Sequence, residues 1–228
     1  MIREIALDTE TTGLSPEHGD RLVEIGCVEL INYIPTGKIY HCYINPERSV
    51  PQGAFDVHGL SDEFLFDKPK FREVYKDFLA FIGDSKLVIH NAQFDMKFIN
   101  AELLRVKKPV IPMERSIDTL KMARSKFKGS PASLDALCKR FNISLSSRDD
   151  RHGALIDSEL LAKVYLELKG GSQTTLLAGE KKSSSGSVAV KEIKKVERRE
   201  RNFPPSADEL KIHTEFLSQI KNPMWAEN

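Results

Sequence analysis

Residues 5–13 read IALDTETTG and continue an apolar segment that starts at Ile2. This segment predicts a buried strand over residues 2–8. Because side chains alternate along a strand, Asp8 and Glu10 are predicted to project from the same side. The turn-forming Gly13 follows, so we expect the two acids at an exposed corner. Acidic pairs are also common at solvated strand ends, so this segment alone does not establish a site.

A second apolar segment ends in the same way. Residues 86–95 read KLVIHNAQFD, which predicts a short strand that breaks at His90 and Asn91. Phe94 and Phe98 then follow at helical spacing, so Asp95 is predicted in the first turn of a helix. Aspartate is favoured there by the helix dipole, which explains one acid but not its recurrence after a second strand.

A third segment combines a histidine with another acid. Residues 152–157 read HGALID and open a predicted helix. Asp157 lies four residues before Leu161 and therefore shares the apolar face of this helix. An ionised carboxylate on an inward face is costly unless it is paired or binds a metal. His152 precedes the helix, where it is either an ordinary surface histidine or a base that can reach a water molecule.

Taken together, the three segments supply four carboxylates and one imidazole. Carboxylate oxygens are the ligands that hard divalent cations prefer, and an imidazole can deprotonate an attacking water molecule. This set of groups is what a phosphodiester hydrolase that uses two metal ions requires.

The three segments resemble the exonuclease motifs of the DEDD superfamily, in the subclass whose third motif is His-x4-Asp. Further stretches resemble the epsilon (proofreading) subunit family of bacterial DNA polymerase III. These stretches are VHGLSDE at residues 57–63, SLDALC at residues 133–138, and residues 152–165. The resemblance covers roughly residues 2–169.

The resemblance implies an α/β fold of the RNase H-like exonuclease type, with a central mixed sheet flanked by helices. Local patterns agree with this fold. They predict strands over 2–8, 22–32 and 38–45, with residues 35–37 as the turn between the second and the third. They predict helices over about 70–83, 95–106, 118–126, 132–141 and 153–169.

The resemblance also implies two Mg²⁺ or Mn²⁺ ions and a role for each motif residue. Asp8 would contact both ions, and Glu10 and Asp157 would complete the ion that holds the attacking water. Asp95 would hold the second ion, and His152 would be the general base. The product would be a 5′-mononucleotide released from a DNA 3′ end, either single-stranded or frayed.

The resemblance implies that Asp8, Glu10 and Asp157 also contact the substrate. The additional residues that match family contacts to the terminal nucleotide are Thr11, Val57, His58 and Phe94. Phe94 suits base stacking and core packing equally well. We do not expect His90 or Asn91 to be catalytic.

Bulk composition is compatible with an enzyme that receives its substrate from a partner. The 228 residues carry a formal net charge of +1, whereas free-standing DNA-binding proteins are often strongly basic. The three cysteines, Cys27, Cys42 and Cys138, have no CxxC spacing and are expected to be free thiols. The absence of a signal peptide or a long apolar run predicts a cytoplasmic protein that does not enter a membrane.

From residue 170 the composition changes. Residues 170–205 contain few apolar residues and predict a flexible linker after the exonuclease domain at 1–169. The charged run at 194–201 suits a solvated segment or a weak nucleic-acid contact. Within the linker, Gln173 to Leu177 read QTTLL and resemble the sliding-clamp-binding peptide of epsilon subunits.

Residues 206–228 predict a short helix near the end of the chain. Ser206 and Glu209 form a capping box, and Leu210, Leu217 and Ile220 share one face of the helix. A lone amphipathic helix is marginal in water, so we expect it to dock on a partner. The resemblance implies that this partner is the polymerase alpha subunit, and it leaves open a small accessory subunit on the exonuclease domain.

Three functions are compatible with these observations. The first is a proofreading 3′→5′ exodeoxyribonuclease. The second is a free-standing exonuclease that trims RNA, although such an enzyme has no need of the clamp peptide and docking helix. The third is a non-catalytic replicase adaptor, which the presence of all five motif residues disfavours.

Overall fold

A five-stranded mixed sheet forms the centre of the protein. The computed structural model describes residues 1–145, 152–171 and 204–219. In these residues the strand order is β3-β2-β1-β4-β5, with β2 antiparallel to β1 and β3, and β4 parallel to β1 and β5. The strands are β1 Arg3–Thr11, β2 Leu22–Ile31, β3 Ile34–Tyr43, β4 Lys86–Ile89 and β5 Ser116–Asp118.

Helices cover both faces of this sheet. They are α1 Gln52–His58, α2 Asp62–Phe66, α3 Phe71–Ile82, α4 Ala92–Arg105, α5 Thr119–Lys126, α6 Leu134–Arg140 and α7 Ala154–Leu168. A further helix, α8 Ala207–Ser218, belongs to a separate unit of the chain. The predicted mixed sheet flanked by helices is therefore confirmed.

Alternation along β1 divides the core into two parts. Ile5 and Leu7 face α3 and α4 and pack with residues such as Phe78 and Phe98. Ala6 faces the other way and packs against α7. Because the two faces are covered by different helices, residues 8–11 at the end of β1 can receive side chains from both sides of the sheet.

The predicted end of the first strand is wrong. β1 continues through Asp8 to Thr11, and its last residues pair with β2, with Asp8 opposite Gly26 and Glu10 opposite Glu24. Glu10 and Thr11 are buried rather than placed at an exposed corner. Backbone pairing with β2 holds these polar residues in the sheet in spite of their low hydrophobicity.

The predicted turn at residues 35–37 is also wrong. The chain reverses at Asn32 and Tyr33, which both have positive φ, as a two-residue hairpin turn requires. Residues 35–37 lie inside β3, where the pairing with β2 shifts register between Val28 and Leu30. Proline is tolerated at this position because β3 is an edge strand.

The longer helices agree with the sequence patterns, and the short elements do not. The predicted helices over 70–83, 95–106, 118–126, 132–141 and 153–169 correspond to α3 to α7, with small differences at their ends. The patterns missed α1, α2 and β5, which are seven, five and three residues long. Such short elements are fixed by tertiary contacts and leave little periodicity in the sequence.

The helix predicted near the end of the chain is present. Ser206 caps α8, and its hydroxyl accepts a hydrogen bond from the Glu209 amide while the Glu209 carboxylate accepts one from the Ser206 amide. Most of the 170–205 segment, the peptide at 173–177 and residues 220–228 lie outside the described residues. In the described part of the chain, no helix is both long and apolar enough to span a bilayer. All three cysteines are free thiols, as predicted.

Candidate active site

The end of β1 supplies the first two acids of the site. Asp8 and Glu10 share the face of the sheet that α7 covers, whereas Thr9 points to the opposite face. Asp8 is half-buried, and Glu10 is buried.

A close approach between α7 and β2 brings the third acid to this position. A Cβ atom on Gly26 would lie 2.3 Å from the carbonyl of Ala154, so only glycine permits this contact. The Ser158 hydroxyl fixes the approach by donating a hydrogen bond of 2.9 Å to the Gly26 carbonyl. The first turn of α7 therefore lies directly over the strand beside β1, and it carries Asp157 into the site.

His152 joins Glu10 and Asp157 in a compact group. Each of these three residues offers one ligand atom, and the three atoms lie within 4.8 Å of one another. His152 Nδ1 lies 3.1 Å from Asp157 Oδ2, and the side chain of His152 is 47% exposed. The backbone amide of His152 donates to the carbonyl of Val57, which ties the start of α7 to α1.

Asp95 reaches the site from the other face of the sheet. It lies in the first turn of α4, directly after β4, as the sequence predicted. Asn91 allows this sharp connection by adopting a left-handed conformation, with φ of 69°. Asp95 is only 3% exposed, and its Oδ1 accepts a hydrogen bond of 2.7 Å from the Thr9 hydroxyl.

The electrostatics of the site are those of crowded carboxylates. Burial raises the pKa of Asp8 well above its usual value, and the negative charges of Asp95, Glu10 and Asp157 raise it further. Burial also raises the pKa of Asp95 to about 7, although the hydrogen bond from Thr9 acts in the opposite direction. Hard oxygen donors crowded in this way suit divalent cations, which would favour the ionised form of each acid.

Five of the seven residues predicted to contact substrate line one cavity, whereas Asp8 and Asp157 line a second one. A cavity of about 510 Å³ lies beside Glu10, and Thr11, Val57, His58 and Phe94 all contribute to its wall. Phe94 packs against Phe98 of the core, which is one of its two predicted roles, and it also lines the cavity. The Thr11 hydroxyl donates to the Gly13 carbonyl, so this hydroxyl already has a partner within the loop.

A second cavity lies on the other side of the acids. It has a volume of about 630 Å³, and its wall includes Asp8, Asp157 and His152. The rest of the described wall comes from His90 after β4, from α5 with Arg124, and from α6 and the loop before it with Ser133. His90 is half-buried beside Thr119, and Asn91 is exposed.

Sequence reasoning missed a contact between two polar side chains next to the site. Glu24 lies opposite Glu10 on β2, is 3% exposed, and meets His41 Nε2 at 2.7 Å. The signal was present, because Glu24 interrupts the apolar segment at residues 22–30, and a charge inside a buried strand calls for a partner.

Comparisons with known proteins identify the family. The family model described as an exonuclease, of the RNase T type, matches residues 5–165. DNA polymerase III subunit epsilon of Rickettsia typhi is 50% identical, over 96% of this chain and 97% of that protein. The Salmonella typhimurium protein of the same name is 42% identical, over 97% and 94% respectively.

Solved structures support the fold. Exonuclease X, in complex with 5′ overhanging duplex DNA, has 27% identity and a TM-score of 0.57, and the match covers 75% of this chain and 93% of that one. Escherichia coli exonuclease I in complex with a dT13 oligonucleotide has 16% identity and a TM-score of 0.66, with coverage of 78% and 43%. The predicted RNase H-like exonuclease fold is confirmed.

Exonucleases of this type use divalent metal ions, which agrees with the crowded carboxylates. The chain therefore belongs to the RNase T-type exonuclease family and, within it, to the epsilon subunits of DNA polymerase III, and it is a 3′→5′ exonuclease.

Proposed function

We propose that this chain removes mispaired 3′-terminal nucleotides from DNA for a replicative polymerase and releases them as 5′-mononucleotides. The observation that carries this proposal is the convergence of Asp8, Glu10, Asp157 and His152 beside a cavity lined by the predicted nucleotide contacts. Near full-length identity of 50% to a protein named as an epsilon subunit supports the link to a polymerase.

Asp8, Glu10, Asp95 and Asp157 would hold two divalent cations, Mg²⁺ or Mn²⁺. When bound, such ions stabilise charge on the scissile phosphate and make a water molecule a stronger nucleophile. The arrangement of the acids supports this assignment, since Asp8 lies close enough to the other three for each to raise its pKa.

His152 would be the general base. A proton on Nδ1, shared with Asp157 Oδ2, leaves Nε2 as the basic nitrogen of the ring. The half-exposed position of the side chain gives water access to it. An imidazole is suited to this task because its ordinary pKa lies near neutral pH.

The cavity beside Glu10 would hold the terminal nucleotide. Phe94 and Val57 supply apolar surface for the base, and His58 and the Thr11 backbone lie where the sugar would bind. Burial lowers the pKa of His58, which keeps this side chain neutral at physiological pH. A neutral imidazole can exchange hydrogen bonds with a sugar hydroxyl without adding charge to the site.

The rest of the chain would attach the enzyme to its partners. We assign the exonuclease domain to residues 1–169, a linker to 170–205 and a polymerase-docking segment to 206–228. In α8, three apolar side chains are exposed, and they are Leu210, Ile212 and Phe216. These side chains would dock on the polymerase alpha subunit. Gln173 to Leu177 would bind the sliding clamp. A small accessory subunit would bind the exonuclease domain. Such tethering raises the local concentration of the nuclease at a frayed DNA end, in the bacterial cytoplasm.

The hydrolytic part of the proposal is tested by mononucleotide release from 3′-labelled single-stranded DNA and RNA. The wild type and Asp8→Ala are assayed with Mg²⁺ or EDTA, and Asp84→Ala, which removes an exposed acid elsewhere, is the control. We expect metal-dependent DNA hydrolysis that only Asp8→Ala abolishes. Preference for RNA would indicate the trimming function, and inactivity on both substrates would indicate the adaptor.

The docking part is tested by removing residues 206–228. The truncated chain should hydrolyse a single-stranded oligonucleotide at the normal rate and should lose binding to the polymerase. Phe216→Asp should weaken this binding, whereas Lys211→Asp on the same helix is the charge-changing control. Undiminished binding of the truncated chain would refute the docking role.

A further inference from the structure

The two cavities beside the acids differ in chemistry. The cavity that includes Thr11 and Phe94 has a mainly apolar wall, with Leu14, Val57 and Ala54 in it, although two carboxylates, Glu10 and Asp20, also line it. The other cavity includes three carboxylates, Asp8, Asp135 and Asp157. The two described walls share no residue, so the catalytic acids separate two compartments.

A polymeric substrate would have to extend from one of these compartments into the other. If the scissile phosphate lies at the acids and one nucleoside fills the apolar cavity, the remaining strand must leave on the other side. Carboxylates line that side, and the strand that would lie along them is itself a polyanion. Metal ions would compensate this repulsion only at the scissile phosphate, so the next phosphates need a cation supplied by the protein.

Among the described residues that line this cavity, Arg124 can supply such a cation. It lies on the exposed side of α5, and its side chain lines the acidic cavity together with Asp8 and His90. It is close enough to His90 for its charge to lower the pKa of that imidazole. Within residues 1–145, 152–171 and 204–219, Arg124 makes no ion pair or hydrogen bond, unlike Arg3, Arg21 and Arg48.

We propose that the cavity lined by His90, Arg124 and Ser133 binds the DNA strand upstream of the scissile phosphate, with Arg124 contacting a backbone phosphate. A guanidinium suits this role because its planar donors match phosphate oxygens in a bidentate contact. The Ser130 and Ser133 hydroxyls lie in the same wall. The proposal rests on the proposed hydrolysis of DNA from its 3′ end.

The test compares a substrate that reaches this cavity with one that does not. The p-nitrophenyl ester of thymidine 5′-monophosphate carries one nucleoside and one phosphate, whereas a thymidine tetranucleotide also carries upstream phosphates. Arg124→Gln should raise KM for the tetranucleotide about tenfold, as expected for loss of one charged hydrogen-bonded contact, and should leave kinetics on the ester unchanged. Arg124→Lys, which keeps the positive charge, should raise KM for the tetranucleotide by less than Arg124→Gln does.

Arg72→Gln is the matched control, because Arg72 is an exposed arginine on α3 and lines neither cavity. Arg72→Gln should leave KM and kcat unchanged for both substrates. Equal losses on both substrates, or no loss on either, would overturn the upstream-strand assignment. Failure of the wild type to hydrolyse either substrate would instead contradict the proposed function.

A binding measurement provides a readout without turnover. In the Asp8→Ala background with EDTA, affinity for a fluorescein-labelled thymidine decanucleotide is measured by anisotropy over a range of salt concentrations. Loss of one phosphate contact should reduce the slope of log affinity against log salt by about 0.7. We expect this change with Arg124→Gln and not with Arg72→Gln, and an unchanged slope with Arg124→Gln would refute the phosphate contact.

Discussion

The buried carboxylates at the two ends of β1 have different surroundings. At its start, Glu29 on the neighbouring strand accepts hydrogen bonds from Arg3 and Thr36, and Glu4 accepts one from Tyr165. At its end, Asp8 faces Glu10, Asp95 and Asp157, and all three raise its pKa further. Arg3 lowers the pKa of Glu29, whereas burial and like charges raise that of Asp8.

This difference separates the groups that support the fold from those that serve chemistry. Where a carboxylate has only a structural role, the chain supplies its own partner, as Arg21 also does for Glu102 on α4. At the end of β1 the acids lie together, with Thr9 and His152 among their partners, and their mutual charges raise the pKa of Asp8, an arrangement that suits a divalent cation. Each of the following predictions tests one side of this comparison.

The largest effect is expected from His152. His152→Ala should reduce turnover by about 10²–10⁴-fold at neutral pH, because the attacking water would lose its base. Steady-state rates on single-stranded DNA would measure it, with His18→Ala, a change outside both cavities, as control. A rate within twofold of the wild type would remove His152 as the base.

A large effect on stability is expected from the structural ion pair. Arg21 donates to both carboxylate oxygens of Glu102, which is only 2% exposed. Arg21→Met should lower the free energy of unfolding by about 3 kcal/mol, because it leaves a buried charge without its main partner.

Urea unfolding would measure this loss. Arg72→Met is the exposed control, with an expected change below about 0.5 kcal/mol. The double variant Arg21→Met/Glu102→Leu should recover much of the stability, since it removes both charges. A loss equal to that of the control would show that this pair does not support the fold.

A smaller effect is expected from pH in the absence of metal. The pKa of Asp95 is about 7 in the folded protein, and near 3.9 when unfolded. Because the folded state holds this proton more tightly, its contribution to stability is present at low pH and is lost as pH rises through 7. The free energy of unfolding in EDTA should therefore fall by about 1 kcal/mol between pH 6.5 and 8.

Asp95→Asn should reduce this dependence, because it removes the group itself and one of the charges that raise the pKa of Asp8, and the exposed Asp84→Asn should not. Buried His58 and His90 titrate mainly below this range and remain in every variant, so they do not account for the difference. A slope that is unchanged in Asp95→Asn would assign the pH dependence to another group.

Local pattern and spacing predicted much of the site. The strand that carries Asp8 and Glu10, the helix start at Asp95 and the inward position of Asp157 all follow from the periodicity of apolar residues. These elements are long or bounded by clear signals, so the sequence is informative about them. The family resemblance supplied the proposed substrate contacts Thr11, Val57, His58 and Phe94, and the structure brings these four residues to one cavity.

What could not be predicted depends on contacts between distant residues. Glu24 and His41 meet as diagonal neighbours because β2 and β3 pair with Glu24 opposite Tyr43 and His41 opposite Gly26, and Arg124 reaches the acidic cavity because α5 packs near α7. The misplaced turn at residues 35–37 has the same origin, since an edge strand accepts proline where a central strand would not.

The most direct test of the account is thermal unfolding of the wild type and Asp8→Asn, with EDTA and with Mg²⁺. If the acids at the end of β1 bind a divalent cation, Mg²⁺ should raise the Tm of the wild type and should have much less effect on the Tm of Asp8→Asn. In EDTA, Asp8→Asn should be at least as stable as the wild type, because it removes a buried charge from the carboxylate cluster. A wild type that is insensitive to Mg²⁺, together with a destabilised Asp8→Asn, would contradict the account.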